Sequence, residues 1–199
     1  GVFVDSGTAD DALIAASWSS VAWGDYDNDG DLDLLLTGQS GTPLSKVYRN
    51  NGGVFVDSGT ADDALIGLYR SSVAWGDYDN DGDLDILIAG QNASLIQMSK
   101  VYRNEGGVFV DGGTADDALT GIANGSVAWG DYDNDGDLDI LLTGGNSGGR
   151  VSKIYRNDDG VFVDSGTVDD ALINVDRSRV AWGDYDNDGD LDILLTGND

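Results

Sequence analysis

The 199-residue chain has no cysteine and no histidine, and it has only one proline and one glutamate. The absence of cysteine and histidine excludes disulfides, thiol chemistry, the usual ligands of zinc and copper, and the commonest general base. No stretch approaches the roughly 20 apolar residues that a membrane-spanning helix needs, so we expect no membrane insertion. The chemistry that remains available is that of oxygen ligands.

Positive charge is also scarce, because three lysines and seven arginines stand against 36 aspartates and one glutamate, a formal net charge of −27. Such a negative field repels phosphates and attracts cations, so we expect no nucleic-acid partner. The hydrophobic content of 40% is too high for a disordered acidic tail. The sequence therefore predicts a folded acidic protein, long enough for one domain with a sizeable core.

Two strings of residues recur four times each. VAWGDYDNDGDLD begins at Val21, Val73, Val127 and Val180, and GVFVD begins at Gly1, Gly53, Gly107 and Gly160. Counted from those glycines, the repeat units span residues 1–52, 53–106, 107–159 and 160–199. With no linker between the units, we expect residues 1–199 to form a single repeat domain.

Each unit contains four short segments typical of β-strands, separated by Gly, Asn and Asp turns. In the first unit they are SSVAWGDY from Ser19, LDLLLTG from Leu32, SKVYRN from Ser45 and GVFVD from Gly53. In the third segment Lys46, Tyr48 and Asn50 alternate with Val47 and Arg49, which predicts that one side of this strand faces solvent. Tandem units of four antiparallel strands are typical of propeller blades. The predicted fold is therefore an all-β, β-propeller-type array of four tandem four-stranded antiparallel blades, with the last blade incomplete within the chain.

One tryptophan falls at the same place in every unit. These residues are Trp23, Trp75, Trp129 and Trp182. A single blade cannot bury both of its faces, so blades must stack. We expect the tryptophans to fill the packing between neighbouring blades.

The segment DYDNDGDLD places aspartate at positions 1, 3, 5, 7 and 9 and glycine at position 6. Close pairs of like charges repel by up to about 4 kcal/mol at 4 Å and an effective dielectric near 20, so a compensating cation is expected. Glycine at position 6 permits the positive-φ turn that folds a loop around an ion. The alternative is a solvated acidic turn.

A hard cation with six to eight oxygen ligands suits this segment, and Ca²⁺ fits better than Mg²⁺, which keeps its water shell. We expect about four Ca²⁺ ions, one per repeat. The expected ligands are the side chains of positions 1, 3, 5 and 9 and the backbone carbonyl of position 7, whose own carboxylate adds charge. The predicted metal-site residues are Asp25, Asp27, Asp29, Asp31, Asp33, Asp77, Asp79, Asp81, Asp83, Asp85, Asp131, Asp133, Asp135, Asp137, Asp139, Asp184, Asp186, Asp188, Asp190 and Asp192.

An EF-hand is excluded because it requires a bidentate acid at position 12 of the loop. That position holds Leu36, Ile88, Leu142 or Leu195.

The loop and the apolar strand after it resemble the DxDxDGxxD loops of FG-GAP and VCBS repeats, as in the propellers of integrin alpha subunits. The resemblance continues through KVYRNNGGVFVD and covers essentially the whole chain. It implies that each loop joins the first and second strands of a blade and binds calcium through the aspartates named above. The family usually closes a ring of about seven blades, more than the four units of this chain.

The last unit has no counterpart of residues 147–159 of the third. If a ring closed, the GVFVD at Gly1 would serve as outer strand of the final blade. Because an unpaired strand edge recruits other strands, we expect self-association, as a ring made by a dimer or as an open head-to-tail array. The alternatives are a small four-bladed ring and a piece of a longer propeller.

The repeats differ mainly in three loops, at residues 39–44, 91–98 and 145–151, and in the four residues before each VAWG string. Aspartate-rich loops such as DYDNDGDLD bind Ca²⁺ in extracellular modules with dissociation constants of about 10⁻⁴ to 10⁻³ M, so we expect a location outside the cell or at its surface. The predicted role is structural, adhesive or self-assembling. The alternative is a module that binds a carbohydrate or protein ligand through its variable loops. We expect no catalysis, because no residue pattern breaks the repeat.

Overall fold

The computed structural model describes residues 7–169 and 171–199, and its regular structure consists of strands and short 3₁₀ helices. The strands are β1 Ser17–Gly24, β2 Asp33–Ser40, β3 Thr42–Asn50, β4 Phe55–Asp57, β5 Tyr69–Gly76, β6 Asp85–Gln91, β7 Gln97–Asn104, β8 Phe109–Asp111, β9 Ala123–Gly130, β10 Asp139–Asn146, β11 Gly149–Asp158, β12 Val161–Asp164, β13 Asp176–Gly183 and β14 Asp192–Asn198. The 3₁₀ helices span Gly7–Asp10, Gly59–Asp62, Gly113–Asp116 and Gly166–Asp169. Among these residues no helix has the length and hydrophobicity that a membrane span requires.

The strands form three four-stranded antiparallel sheets and one two-stranded sheet, each in sequence order. We call them blade 1 (β1–β4), blade 2 (β5–β8), blade 3 (β9–β12) and blade 4 (β13–β14). The all-β class and the antiparallel blades are confirmed, with two strands described in blade 4. The predicted strand at Gly1 lies outside the described residues.

The blades lie side by side, with β5 packed between β1 and β9, and β9 between β5 and β13. Both faces of a middle blade are therefore covered, and every residue of β6 is buried. This explains why the second strand of each repeat is a continuous apolar run.

The prediction of a wet side on the third strand was wrong. Val47 and Tyr48 point to opposite faces of β3, yet their exposed fractions are 0% and 1%. The buried Tyr48 hydroxyl accepts a hydrogen bond from the amide of Ile14 (3.2 Å), and that of Tyr102 accepts one from Ile66 (3.1 Å). A tyrosine can be buried here because a backbone N–H satisfies its hydroxyl.

A tryptophan of each following blade lies directly on a glycine of the preceding one. A Cβ at Gly24 would lie 2.7 Å from Cδ1 of Trp75, and a Cβ at Gly76 would lie 2.6 Å from Cδ1 of Trp129. Gly130 and Trp182 repeat the contact at 2.6 Å. The predicted packing role is confirmed for these three tryptophans.

Buried aspartates tie the last three 3₁₀ helices to the blade that precedes each of them. Asp62 accepts a hydrogen bond from the amide of Val47 (2.8 Å), and Asp116 accepts one from Val101 (2.9 Å). Lys100 pairs with Asp116 at 3.4 Å and with Asp111 at 2.7 Å. The lysines of the third strands therefore balance acids that the fold partly buries, since the carboxylates would otherwise be desolvated without a partner.

The glycine contact yields a stability prediction. Gly76→Ala should destabilise the protein by about 1–3 kcal/mol, because the new methyl group overlaps the Trp129 ring. Gly183→Ala is the matched control, since a Cβ there meets nothing within 4 Å. Urea unfolding of dilute protein measures the free energy of unfolding of both variants. Equal urea midpoints for the two variants would contradict the packing argument.

Candidate functional site

The four aspartate loops lie between the first and second strands of the blades, at residues 25–32, 77–84, 131–138 and 184–191. This is the position that the resemblance implied. In the first loop Asn28 has φ 57° and Gly30 has φ 94°, and the other loops repeat both values closely. The predicted positive-φ turn at glycine 6 is confirmed. The left-handed asparagine at position 4 was missed, although asparagine tolerates this conformation better than most residues.

Each loop brings three carboxylates together, with one ligand atom of each within 4.8 Å of the others. The groups are Asp25, Asp27 and Asp29; Asp77, Asp79 and Asp85; Asp131, Asp133 and Asp139; and Asp184, Asp186 and Asp192. Positions 1 and 3 belong to all four groups, position 9 to three and position 5 to one. Groups of aspartates that could hold a metal ion are therefore present in each repeat.

Backbone amides orient the carboxylates at both ends of the loop. The two oxygens of Asp25 accept hydrogen bonds from the amides of Asp29 and Gly30, both at 3.0 Å. Asp33 is fully buried and accepts from Tyr26 (3.1 Å) and Asn50 (2.7 Å). These bonds hold positions 1 and 9 in place, which lowers the entropy cost of assembling a ligand set.

Position 3 differs in the first two loops, because it retains an unused buried oxygen. Oδ1 of Asp27 and Oδ1 of Asp79 are buried and have no hydrogen-bond partner among the described residues. A buried acceptor without a partner carries a substantial desolvation penalty. A bound hard cation would supply the partner that this oxygen lacks, and carboxylate oxygens are the ligands that Ca²⁺ takes. The residues present therefore fit Ca²⁺.

In the first three blades, burial also makes the carboxylate of position 9 hard to ionise without a cation. Desolvation raises the pKa of Asp85 from its ordinary 3.8 to about 7, although backbone N–H groups from Asn104 and Tyr78 oppose the shift. The pKa values of Asp33 and Asp139 are raised to about 6 for the same reason. A bound divalent cation would favour the ionised forms.

The aspartate at position 7 contacts the preceding loop. Nδ2 of Asn28 donates to Oδ1 of Asp83 (2.8 Å), and Nδ2 of Asn80 donates to Oδ1 of Asp137 (2.8 Å). Asn134 and Asp190 repeat the bond at 3.0 Å. The assignment of all twenty aspartates, and of the backbone carbonyl at position 7, to a metal ion stays a prediction.

A second feature lies at the end of β1, β5, β9 and β13 that is farther from the aspartate loops, and we call these first strands of the blades the inner strands. A cavity of about 440 Å³ is lined by Trp18, Ser19, Arg70, Ser71, Asn124, Gly125, Arg177 and Arg179. All these residues belong to the divergent segments before the VAWG strings. The lining contains three of the seven arginines and no carboxylate, in a chain of net charge −27.

The backbone around this cavity is strained at one equivalent position in every blade. Trp18, Arg70, Asn124 and Arg177 have φ between 48° and 53°, beside a break in the register of the first two strands. Left-handed conformations of residues other than glycine are uncommon and concentrate at functional sites. Arg70 lies over the Trp18 ring, 5.4 Å from its centroid.

The fold and the loops define a class of protein, a propeller-like module built from tandem aspartate-loop blades. The FG-GAP-like repeat family matches residues 25–88 and 82–142. The two matches span more than half of the chain, so the chain belongs to the FG-GAP-like repeat family.

Two known proteins are similar to this chain. Human cartilage acidic protein 1 is 28% identical over 148 residues, which are 70% of this chain and 22% of that protein. The solved structure of an Agrocybe aegerita lectin, described as the basis of specific recognition of non-reducing terminal N-acetylglucosamine, has a TM-score of 0.53 and 22% identity. That likeness covers 90% of this chain and 47% of the lectin chain. The chain thus spans less than half the length of either relative, and the second likeness supports the propeller-like fold alone.

The raised pKa values predict how pH acts on the metal-free protein. A buried aspartate with a raised pKa contributes stability that is fully present below about pH 4 and is lost as pH rises through 6 to 7. The melting temperature of dialysed, metal-free protein should therefore increase when the pH falls from 8 to 5. Calorimetry at several pH values measures the melting temperature. A melting temperature that decreases as the pH is lowered from 8 to 5 would contradict the raised pKa values of these aspartates.

Proposed function

We propose that the protein is a calcium-stabilised extracellular repeat protein with a structural, adhesive or self-assembling role. The observation that carries the proposal is the unpartnered buried oxygen of Asp27 and of Asp79 within a group of convergent carboxylates. Calcium would supply the positive charge that these oxygens lack. The four DYDNDGDLD segments hold 20 of the 37 acidic residues, so one repeated segment accounts for over half of the acidity. We propose no catalytic role.

The expected affinity of such loops accounts for the proposed location. At dissociation constants of about 10⁻⁴ to 10⁻³ M the sites would fill in extracellular fluid and stay empty in cytosol. Each site filled at 100 times its dissociation constant adds about 2.7 kcal/mol to the free energy of unfolding. Four such sites rival the 5–15 kcal/mol of a whole domain, so calcium would control whether the blades stay folded.

Asp79→Asn tests the site directly, because it keeps the shape of the side chain and removes the charge. We expect calorimetric titration to show about one Ca²⁺ fewer than in the unaltered protein. The rise in melting temperature on calcium addition should shrink accordingly. Asp63→Asn is the matched control, an equal change of charge at an exposed residue outside the loops.

Two results would refute the calcium proposal. The first is a melting temperature and circular dichroism spectrum that do not respond to chelation. The second is an equal loss of bound calcium in Asp63→Asn and Asp79→Asn, which would assign the effect to net charge rather than to the loop.

The cavity at the inner strands favours a second candidate function, the binding of a small acidic ligand such as an acidic sugar. Within the described residues, the ion pairs involve Lys46, Lys100, Arg103, Arg150, Lys153 and Arg156. Arg70, Arg177 and Arg179 line the cavity without a carboxylate partner, and Arg179 donates only to backbone carbonyls. Guanidinium groups bind carboxylates bidentately, and the exposed Trp18 ring offers an apolar surface beside them.

D-glucuronate, with D-glucose as the neutral comparison, probes this cavity. Arg177→Gln should weaken glucuronate binding by about tenfold or more, the usual effect of losing a hydrogen bond to a charged group. Arg103→Gln removes an arginine of the third strand and should leave binding unchanged. Calorimetric titration at two salt concentrations measures both, and equal binding of glucose and glucuronate would exclude an anion site.

A further inference from the structure

An asparagine ends the YRN string of the third strand in each of the first three blades. These residues are Asn50, Asn104 and Asn157. Asn104 and Asn157 are only 0% and 1% exposed, so their polar side chains lie inside the protein. A buried amide needs hydrogen-bond partners, and the partners show which parts of the structure it holds together.

Some of the hydrogen bonds of each asparagine stay within its own blade. Oδ1 of Asn104 accepts a hydrogen bond from the amide of Gly107 (2.7 Å), in the turn that leads to the fourth strand. The backbone amide of Asn104 donates to the carboxylate of Asp85 at loop position 9 (2.8 Å). Asn50 and Asn157 make both contacts as well.

The Nδ2 amino group of Asn104 connects two aspartate loops. It donates to the carbonyl of Leu84 (3.1 Å), in the loop of its own blade. It also donates to the carbonyl of Tyr26 (2.8 Å), in the loop of the preceding blade. An amide nitrogen has two hydrogens, so this group uses both of them on the backbones of adjacent loops.

Asn157 repeats the connection one blade further along, whereas Asn50 does not. Nδ2 of Asn157 donates to the carbonyls of Leu138 (3.2 Å) and Tyr78 (2.8 Å), in the third and second loops. Within the described residues, Nδ2 of Asn50 donates only to the carbonyl of Leu32 (3.1 Å), in the loop of its own blade. Asn50 therefore has the contacts within a blade without the contact between blades.

Each accepting carbonyl lies directly before an aspartate that could hold a metal ion. Tyr78 precedes Asp79, and Leu138 precedes Asp139. Both aspartates belong to the groups of convergent carboxylates. Because the peptide group is planar, a bond that fixes its carbonyl also fixes the Cα from which the next side chain projects. The asparagine thus holds position 3 of the preceding loop and position 9 of its own.

The burial of position 3 follows the same distribution. Asp27 and Asp79 lie in the two loops that receive an asparagine from the following blade, and each keeps a buried oxygen without a partner among the described residues. Asp133 and Asp186 occupy position 3 of the other two loops, where the described residues provide no such bond, and both are exposed. The asparagine contact therefore accompanies the buried form of this carboxylate.

We propose that Asn104 and Asn157 are positioning residues for calcium, each of which supports the loop of the preceding blade as well as that of its own. The inference rests on the calcium role proposed above and identifies residues outside the loops on which calcium affinity depends. Removing a group that orients metal ligands typically weakens metal binding by about 10- to 100-fold. The first two calcium sites therefore each extend over two blades.

Calorimetric calcium titration of alanine variants of the 199-residue chain tests the proposal. Asn104→Ala should raise the dissociation constants of two sites by about tenfold or more, because the first and second loops both lose a donor. Asn157→Ala should do the same for the second and third loops. Asn50→Ala is the matched control, since it loses the same turn contact but should weaken only one site.

A double variant identifies the loop that Asn157 reaches in the preceding blade. Asp79→Asn already removes the site of the second loop, so adding Asn157→Ala should weaken one of the three remaining sites. Two weakened sites in the double variant would contradict the link through Tyr78. Circular dichroism in excess calcium shows whether each variant folds. Asn157→Ala is an independent second variant, so the test does not depend on the folding of Asn104→Ala.

Two results would overturn this inference and leave the calcium proposal standing. The first is an equal number of weakened sites in Asn104→Ala and Asn50→Ala, which would confine the effect to the blade of each asparagine. The second is a set of unchanged dissociation constants in Asn104→Ala and Asn157→Ala. An unaltered chain that binds no calcium would refute both proposals, so the two failures are distinguishable.

Discussion

The structure depends on one constraint, that both faces of every blade must be covered. The second strand is apolar on each side, and isolated sheets of this kind would expose two hydrophobic surfaces to water. The tryptophan of one blade covers the glycine of the preceding blade, and only glycine leaves room for that ring. The stability of each blade therefore depends on the blades that pack beside it.

The aspartate loops add an electrostatic condition to this packing. Each loop concentrates like charges beside those of the next, and asparagine-to-aspartate hydrogen bonds join the loops directly. A cation bound in one loop would therefore influence the contact between blades as well as its own turn. The inner-strand cavity has the opposite character, because its arginines lie away from the carboxylates. One acidic scaffold thus carries clustered aspartates at one end of these strands and an arginine-lined cavity at the other.

Much of the fold and of the candidate site could be predicted because the repeat presents each local signal four times. Strand periodicity located the sheets, and the glycine at loop position 6 predicted the turn that Gly30 adopts. The wet side expected for the third strand was wrong, since alternation within Tyr48 and its neighbours cannot show that a second sheet covers it. The Asn28 bond to Asp83 was missed because its partners are 55 residues apart in the chain.

By itself the sequence determined the repeat, the strand order within a blade and the acidic loop that could hold a metal ion. These depend on interactions between residues close in the chain, where spacing and side-chain chemistry are sufficient. Only the tertiary structure decided which aspartates converge, which carboxylate oxygen is buried without a partner and which arginines line one cavity. Those properties depend on burial and on contacts between blades, which exist only after the sheets have stacked.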